Sequence, residues 1–352
     1  MIVVAGEVLV DLVVRADGVV DARLGGGPYN TARTLARLGA PTSFFGGLAD
    51  DRFGRLLRGA LDAEGVVIGV PGRSAAPTTL ALVDLDQAGV ASYAFYLDGT
   101  AAADLDYPAL AAAFDAILTQ ARASAVARSV GTAAADATGG RAVGPGTVGT
   151  GDSAALAVHV GTLGLVMEPI GSAVERLVLA DVPPDALVML DPNCRPGAIA
   201  DRAAYLGRIG RIAARADVIK ASVDDLAYLY PGSSAAEAAE LLLAAGPALV
   251  LVTDGPRPAR AFLPGAGLAV EVPVVDVVDT IGAGDAFGGG FLAWWSANGF
   301  TRADLKRPPL VRAAVAAAAA TAAATCERPG ADPPTLADLI AARAWPAPNL
   351  RP

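Results

Sequence analysis

The chain has 352 residues, enough for one large or two medium domains with a substantial core, and 53% of them are hydrophobic. Its 36 acidic and 27 basic side chains leave a net charge of −9, and no Lys/Arg cluster offsets it, which argues against nucleic-acid binding. One histidine and two cysteines, Cys194 and Cys326, exclude a His-based metal centre and a disulfide framework. The longest apolar run, 311–324, is mostly alanine and too short to cross a bilayer, and residues 1–12 lack a basic start. A cytoplasmic protein with no membrane or nucleic-acid partner is expected.

In chain order, 2–4 and 7–11 read as a short apolar strand region around Gly6, with Asp11 at its end. Residues 13–24 alternate loosely about Asp17-Gly18 and predict a hairpin. Gly25-Gly26-Gly27-Pro28 breaks the chain, and 29–38 follows as a helix with proline at its start and Gly39 past its end. A strand over 42–46 precedes an amphipathic helix over 52–64. The stretches 78–86 and 90–97, joined across Gln87-Ala88-Gly89, predict a second hairpin. Residues 121–155 are rich in Ala, Gly, Thr and Ser without periodicity, as in a flexible insertion. Its literal Gly144-Pro145-Gly146-Thr147-Val148-Gly149 is rejected as a dinucleotide site, because no strand precedes it and no apolar helix follows. Strands over 187–190, 218–220 and 248–253 then alternate with helices over 201–216, 233–245 and 308–324. That order implies a mostly parallel sheet with helices on both faces. The α/β domain would take 1–12, 25–77 and 98–352, leaving 13–24 and 78–97 as a small β lid.

The chemistry is expected in one stretch near the C-terminus. An apolar, strand-like run over 272–278 ends in Asp279-Thr280, turns through Gly282-Ala283-Gly284, and continues as a helix. Such a turn leaves backbone N–H groups at a helix N-terminus, an anion site that small residues let a phosphate approach. The same turn also suits a plain N-terminal cap, since Asp is favoured there. A carboxylate at Asp285 would not hold a phosphate, but it can orient and deprotonate a hydroxyl that attacks one. Asp11, Asn30 and the bare backbone of Gly25, Gly26 and Gly27 offer the polar mix a sugar needs, although they could equally satisfy local backbone groups. His159, between apolar residues, reads as a satisfied core residue, and no P-loop motif is present.

The string Asp279-Thr280-Ile281-Gly282-Ala283-Gly284-Asp285-Ala286-Phe287 resembles the C-terminal signature of the ribokinase-like (PfkB-type) sugar kinases. The run Gly25-Gly26-Gly27-Pro28-Tyr29-Asn30 is similar to their N-terminal one, and the resemblance spans nearly all of the chain outside 121–155. It implies a three-layer ribokinase-like α/β fold and ATP-dependent, Mg²⁺-assisted transfer to a sugar hydroxyl. Asp285 would be the base, and the Gly282-Ala283-Gly284 turn would hold the phosphates. Asp191-Pro192-Asn193-Cys194-Arg195 matches the family's Asp-x-Asn-x-Arg. Ser222 and Asp225, after Lys220, stand where the family has Asn-x-x-Glu, so the shorter Asp225 would reach hydrated Mg²⁺ through a different water. Thr253-Asp254-Gly255 matches its Thr-x-Gly. Implied nucleotide contacts are therefore Asn193, Lys220, Ser222, Thr253 and Gly255. Implied sugar contacts are Asp11, Gly25, Gly26, Gly27, Asn30 and Arg195, and the reading of the second hairpin as a lid adds Phe95. Carbonyls near Asp279 and Ile281 would match a K⁺ site.

The subgroup it looks most like is fructokinase, on Asp191-Pro192-Asn193-x-Arg195, on Gly161-Thr162-Leu163-Gly164 and on the tail 326–334. Kinases of 2-keto-3-deoxygluconate, ribose or a nucleoside remain open, as does a non-catalytic sensor on the same fold. The helix N-terminus is expected to lower the pKa of Asp285. Tyr93, Phe95 and Tyr96 would lie on alternating faces of the lid, one toward the sugar and the other toward a second subunit of a homodimer.

Overall fold

The computed structural model describes residues 1–15, 17–85, 91–136 and 156–347. The order runs β1 (Ile2–Ala5), β2 (Leu9–Val14), β3 (Val20–Gly25), α1 (Gly27–Arg37), β4 (Thr42–Phe45), α2 (Arg52–Ala63), β5 (Val67–Ile68), β6 (Leu80–Leu85) and β7 (Ala91–Tyr96). Helix α3 (Tyr107–Asp136), β8 (Ala157–Gly161), α4 (Ile170–Arg176), β9 (Leu187–Asp191), α5 (Arg202–Arg215), β10 (Val218–Ser222), α6 (Val223–Leu229) and α7 (Ala235–Ala244) follow. The chain closes with β11 (Leu249–Asp254), β12 (Arg257–Leu263), β13 (Ala266–Val270), α8 (Ala283–Ala297), α9 (Pro308–Cys326) and α10 (Leu336–Ala341).

Nine strands form one sheet in the order β13-β12-β11-β10-β9-β8-β1-β4-β5. Every pairing from β5 to β11 is parallel, and β12 and β13 add antiparallel at the edge. Because side chains alternate across a strand, each central strand feeds two cores. Val3, Val158, Val188, Ile219 and Val250 pack with Phe114, Val174, Ile212 and Leu242 from α3, α4, α5 and α7. Val4, Met189, Val218 and Leu251 pack with Leu35, Phe291, Trp295 and Val315 from α1, α8 and α9. Burial on both faces is why these strands read as continuous apolar runs. Among the described residues α9 is the one helix long and apolar enough to span a membrane, but 61% of that span is buried against its neighbours.

Four strands form a second sheet in the order β3-β2-β6-β7, with β2 and β6 parallel and both outer pairs antiparallel. Asp11 belongs to this small sheet and not to the end of the first core strand, so the chain leaves the large sheet before Asp11. The apolar residues on either side of Gly6 look continuous in sequence, but Gly6 has φ +154 and redirects the chain there.

Two further expectations are corrected. Within 121–155, residues 121–136 continue α3 as regular helix, since an Ala-rich stretch without an apolar stripe still has high helix propensity. Residues 137–155, including the glycines at 144, 146 and 149, lie outside the described residues. The run 272–278 is not a strand: Pro273 lacks a ladder donor, Val274, Val277 and Val278 are exposed, and the N–H groups of Val278 and Asp279 donate to the Cys326 carbonyl instead.

Candidate active site

The turn into α8 builds the centre of the site. Gly282 caps the helix at φ +78, a left-handed conformation that glycine adopts without strain, and no side chain caps the first turn. Ala283 donates its amide to the Thr280 carbonyl at 3.2 Å, so the turn does not offer every amide the sequence suggested. Asp285 lies in the first turn, 7% exposed, and accepts a 2.9 Å hydrogen bond from Asn30 Nδ2. The two signatures at opposite ends of the sequence therefore meet in one hydrogen bond.

Around Asp285 lies a cavity of about 250 Å³ lined from both sheets. The large sheet, its helices and their loops contribute Gly26, Gly27, Asn30, Asn193, Arg195, Thr280, Ile281, Gly282, Gly284 and Asp285. The small sheet contributes Leu9, Asp11, Val83, Tyr93 and Phe95. Tyr93 and Phe95 stack with ring centroids 6.0 Å apart, which puts them on one face, while Tyr96 is exposed. The three-way alternation reduces to the pleat: positions 93 and 95 share a face and 96 does not.

The glycines at 25–27 make room for three different neighbours. A Cβ on Gly25 would stand 2.5 Å from Asp11 Oδ2, and one on Gly26 would strike the Glu7 carbonyl at 2.9 Å. One on Gly27 would meet Thr162 Cγ2 at 2.4 Å and approach Asp285 Oδ1 at 3.2 Å. Glu7 and Thr162 were not expected at the site. Buried Glu7 accepts from the amides of Gly27 (3.1 Å) and Gly164 (2.7 Å) and from the Thr162 hydroxyl, tying the glycine run to the turn after β8. The available signal was an acid set inside an otherwise apolar strand region.

Beneath α8, Lys220 and Asp191 form a buried ion pair at 2.8 Å, and a Cβ on Gly284 would lie 3.0 Å from Lys220 Nζ. Lys220 keeps its proton: burial works against the charge, but Asp191, Asp225 and Asp285 raise its pKa. Asp191 Oδ1 has no partner. Burial pushes the Asp285 carboxyl up to about 7, against the pull of Lys220 and the Asn30 hydrogen bond. This reverses the expected lowering, because loss of water outweighs the helix N-terminus at so enclosed a position. Asp11 is raised to about 6 by burial, with Arg195 and Arg23 opposing.

Asp225 does not present a free carboxylate for a hydrated metal. Its Oδ1 accepts from the Cys194 amide at 2.6 Å and its Oδ2 from the Ser222 amide and hydroxyl, closing a capping box on α6. It thereby fixes the loop bearing Asn193 and Arg195, whose guanidinium donates to the carbonyls of Asn193 and Cys194. Ser222 and Thr253 are register partners at the ends of β10 and β11, with Gly255 in the next turn, and none of the three lines the cavity. His159 is buried but not satisfied: neither ring nitrogen has a partner, and burial next to Lys220 lowers its pKa to about 3, leaving it neutral. Asp279 Oδ1 accepts from the Ile281 amide at 3.0 Å, and Oδ2 accepts from the Gly330 amide at 2.9 Å and from Arg23 at 2.6 Å.

Residues 1–141 and 179–338 match the pfkB family of carbohydrate kinases. The chain belongs to this family. It is 34% identical over 301 residues to a fructokinase of Rhizobium leguminosarum bv. trifolii, covering 83% of this chain and 79% of the relative. A fructokinase of Vibrio alginolyticus is 28% identical over 316 residues, covering 89% of this chain and 88% of the relative. The crystal structure of a Xylella fastidiosa fructokinase with bound ATP superposes with a TM-score of 0.78 at 26% identity, covering 97% of each chain. The Vibrio cholerae O395 enzyme with fructose, ADP and calcium has a TM-score of 0.76 at 24% identity, again over 97% of each chain, a likeness of fold. As a pfkB-family carbohydrate kinase, the chain is a phosphotransferase acting on a sugar hydroxyl, and its fold is ribokinase-like.

Proposed function

We propose that this kinase transfers the γ-phosphoryl group of ATP to a hydroxyl of fructose, with Asp285 as the base. The observation that carries the reading is Asp285 itself, a buried carboxyl with a pKa near 7 at an uncapped helix N-terminus, facing a sugar-sized cavity. Its affinity for a proton suits the task at neutral pH: a substantial fraction is ionised and can accept the hydroxyl proton as the oxygen attacks. Lys220, next to the bare Gly284, offsets charge on the moving phosphoryl group, together with the amides left at the turn. Asp11, Asn30, Arg195 and the backbone of Gly25, Gly26 and Gly27 hold the sugar hydroxyls. Phe95 and Tyr93 cover the ring, and the small sheet serves as a lid that excludes competing water. Asn193 at the cavity wall and Ser222, Thr253 and Gly255 beyond it suit the nucleotide.

Mg²⁺ would come with the nucleotide, where it neutralises phosphate charge. Among the described residues no group of three His, Cys, Asp or Glu could hold a metal by itself, and the unpaired Oδ1 of Asp191 suits a metal-bound water. For K⁺ the fit fails: Asp279, the anion at the implied site, is already neutralised by Arg23. We further place the enzyme in the cytoplasm, as a homodimer joined through its lids, where Val19, Val20 and Tyr96 are exposed.

The test is ATP turnover across fructose, 2-keto-3-deoxygluconate, ribose and nucleosides. Highest kcat/KM with fructose supports the reading, and a preference for another acceptor reassigns the substrate. Binding of sugar and ATP with no turnover for any acceptor would make the chain a sensor.

A further inference from the structure

Arg23 sits on the outermost strand of the lid, directly opposite Asp11 in register, yet its guanidinium leaves the lid altogether. It donates to Asp279 Oδ2 at 2.6 Å, and its Cδ and Nη1 lie 3.9 Å from where a Cβ on Gly330 would stand. Asp279 is the knot of the anion-hole loop. It receives the Ile281 amide, one residue before the Gly282 cap, and the Gly330 amide from the turn beyond α9. Its backbone N–H goes to the Cys326 carbonyl, so the lid strand and the end of α9 with its following turn both meet the anion-hole loop at this residue. Both members of the pair are partly shielded, with side chains 35% and 17% exposed, so the attraction is not that of a fully solvated surface pair.

A fructokinase of this fold has been solved with a bound potassium ion. In the present chain, a monovalent cation entering beside Asp279 would meet a carboxylate whose charge is already balanced and a guanidinium that repels it. We propose that Arg23 supplies, from the lid, the positive charge that a monovalent cation would otherwise bring to the anion-hole loop, making turnover independent of K⁺. Arg23 is thus a positioning residue: it does not line the cavity, and it holds Asp279, which holds the turn carrying Gly282 to Asp285. Because the charge rides on the lid strand, a lid docked over the sugar and an ordered anion hole are coupled through one ion pair.

The inference rests on the kinase reading, and its test separates the two. Wild type, Arg23→Gln and Arg23→Lys are assayed in KCl and in N-methylglucamine chloride at equal ionic strength, with ADP measured by chromatography. Wild-type kcat should change by less than about two-fold between the salts. Arg23→Gln should lose about ten-fold or more in kcat without K⁺, with KM for ATP little changed, and recover most of it when K⁺ is added. Arg23→Lys, which keeps the charge, should stay close to wild type without K⁺. A second readout needs no turnover: the thermal midpoint of Arg23→Gln should rise in KCl relative to N-methylglucamine, and that of wild type should not. Strong K⁺ activation of wild type, or an Arg23→Gln variant equally active and equally stable in both salts, would overturn the proposal. If wild type phosphorylates no sugar, the kinase reading falls, and the midpoints alone still decide whether Arg23 stands in for a cation.

Discussion

Asp285 carries opposite demands, and they can be separated by pH. As a base it must be ionised, so kcat/KM should rise with pH up to a plateau, with a midpoint near the carboxyl pKa of about 7. For stability the sign is reversed. Below the ordinary carboxylate range both folded and unfolded chains are protonated, and burial costs nothing extra. Between the ordinary aspartate value of 3.8 and about 7 the folded chain keeps a proton the unfolded chain has lost, so this group's contribution falls as pH rises, and it is lowest above 7. Asp285→Asn should therefore cut kcat by about 10² to 10⁴-fold while leaving ATP binding largely intact. It should also raise the melting temperature relative to wild type at alkaline pH, an advantage that shrinks toward pH 4. A near-normal kcat in the Asn variant would remove Asp285 from the base role. Equal melting temperatures at all pH values would mean that its burial costs nothing.

At the scale of elements, α8 owes its place to the run Gly288-Gly289-Gly290. A Cβ on Gly289 would strike Thr34 of α1 at 2.7 Å, and one on Gly290 would meet Thr321 Oγ1 of α9 at 2.7 Å with the Ala318 backbone at 3.1 Å. Gly290→Ala should destabilise by about 1–3 kcal/mol by overpacking. Gly210→Ala, in α5 with nothing within 4 Å, should instead stabilise by roughly 0.5–1 kcal/mol through helix propensity. Denaturant midpoints for the pair would check this, and two shifts of the same sign would show that space between helices is not what the glycines provide. The small sheet supports a second comparison. Phe95→Ala should raise KM for the sugar by about ten-fold with little change in KM for ATP, because Phe95 lines the cavity and its loss leaves the ring uncovered. Tyr96→Ala, on the opposite face, should leave both KM values close to wild type. Loss of ATP affinity in the Phe95 variant would show that the small sheet is not a sugar lid.

For the whole molecule, the exposed Val20 and Tyr96, with Val19 in the turn just before β3, are set on a sheet too small to carry its own core, and such a sheet needs a partner surface. We expect a symmetric dimer in solution, converted to monomer by Val20→Glu combined with Tyr96→Glu. Light scattering on wild type and variant tests this, and a monomeric wild type would leave those side chains without the role assigned to them.

Period and turn chemistry alone made much of this protein readable. Buried parallel strands announce themselves as apolar runs, and the glycines around Asn30 and Asp285 mark places where side chains would block a ligand or a helix. The resemblance of those two runs to one kinase family joins them in sequence as the Asn30–Asp285 hydrogen bond joins them in space. Local pattern misled where burial or connectivity decided the outcome. The run 272–278 looks like a strand, but Pro273 and the Cys326 carbonyl take it out of the ladder. Asp11 looks like the end of a core strand, but Gly6 turns the chain into the other sheet. The rise in the Asp285 pKa, the engagement of Asp225 by backbone amides and the Arg23–Asp279 pair all depend on groups far apart in sequence. Desolvation and ion pairing are properties of the packed molecule, set by which distant groups share a water-free space, and only the tertiary structure decides that.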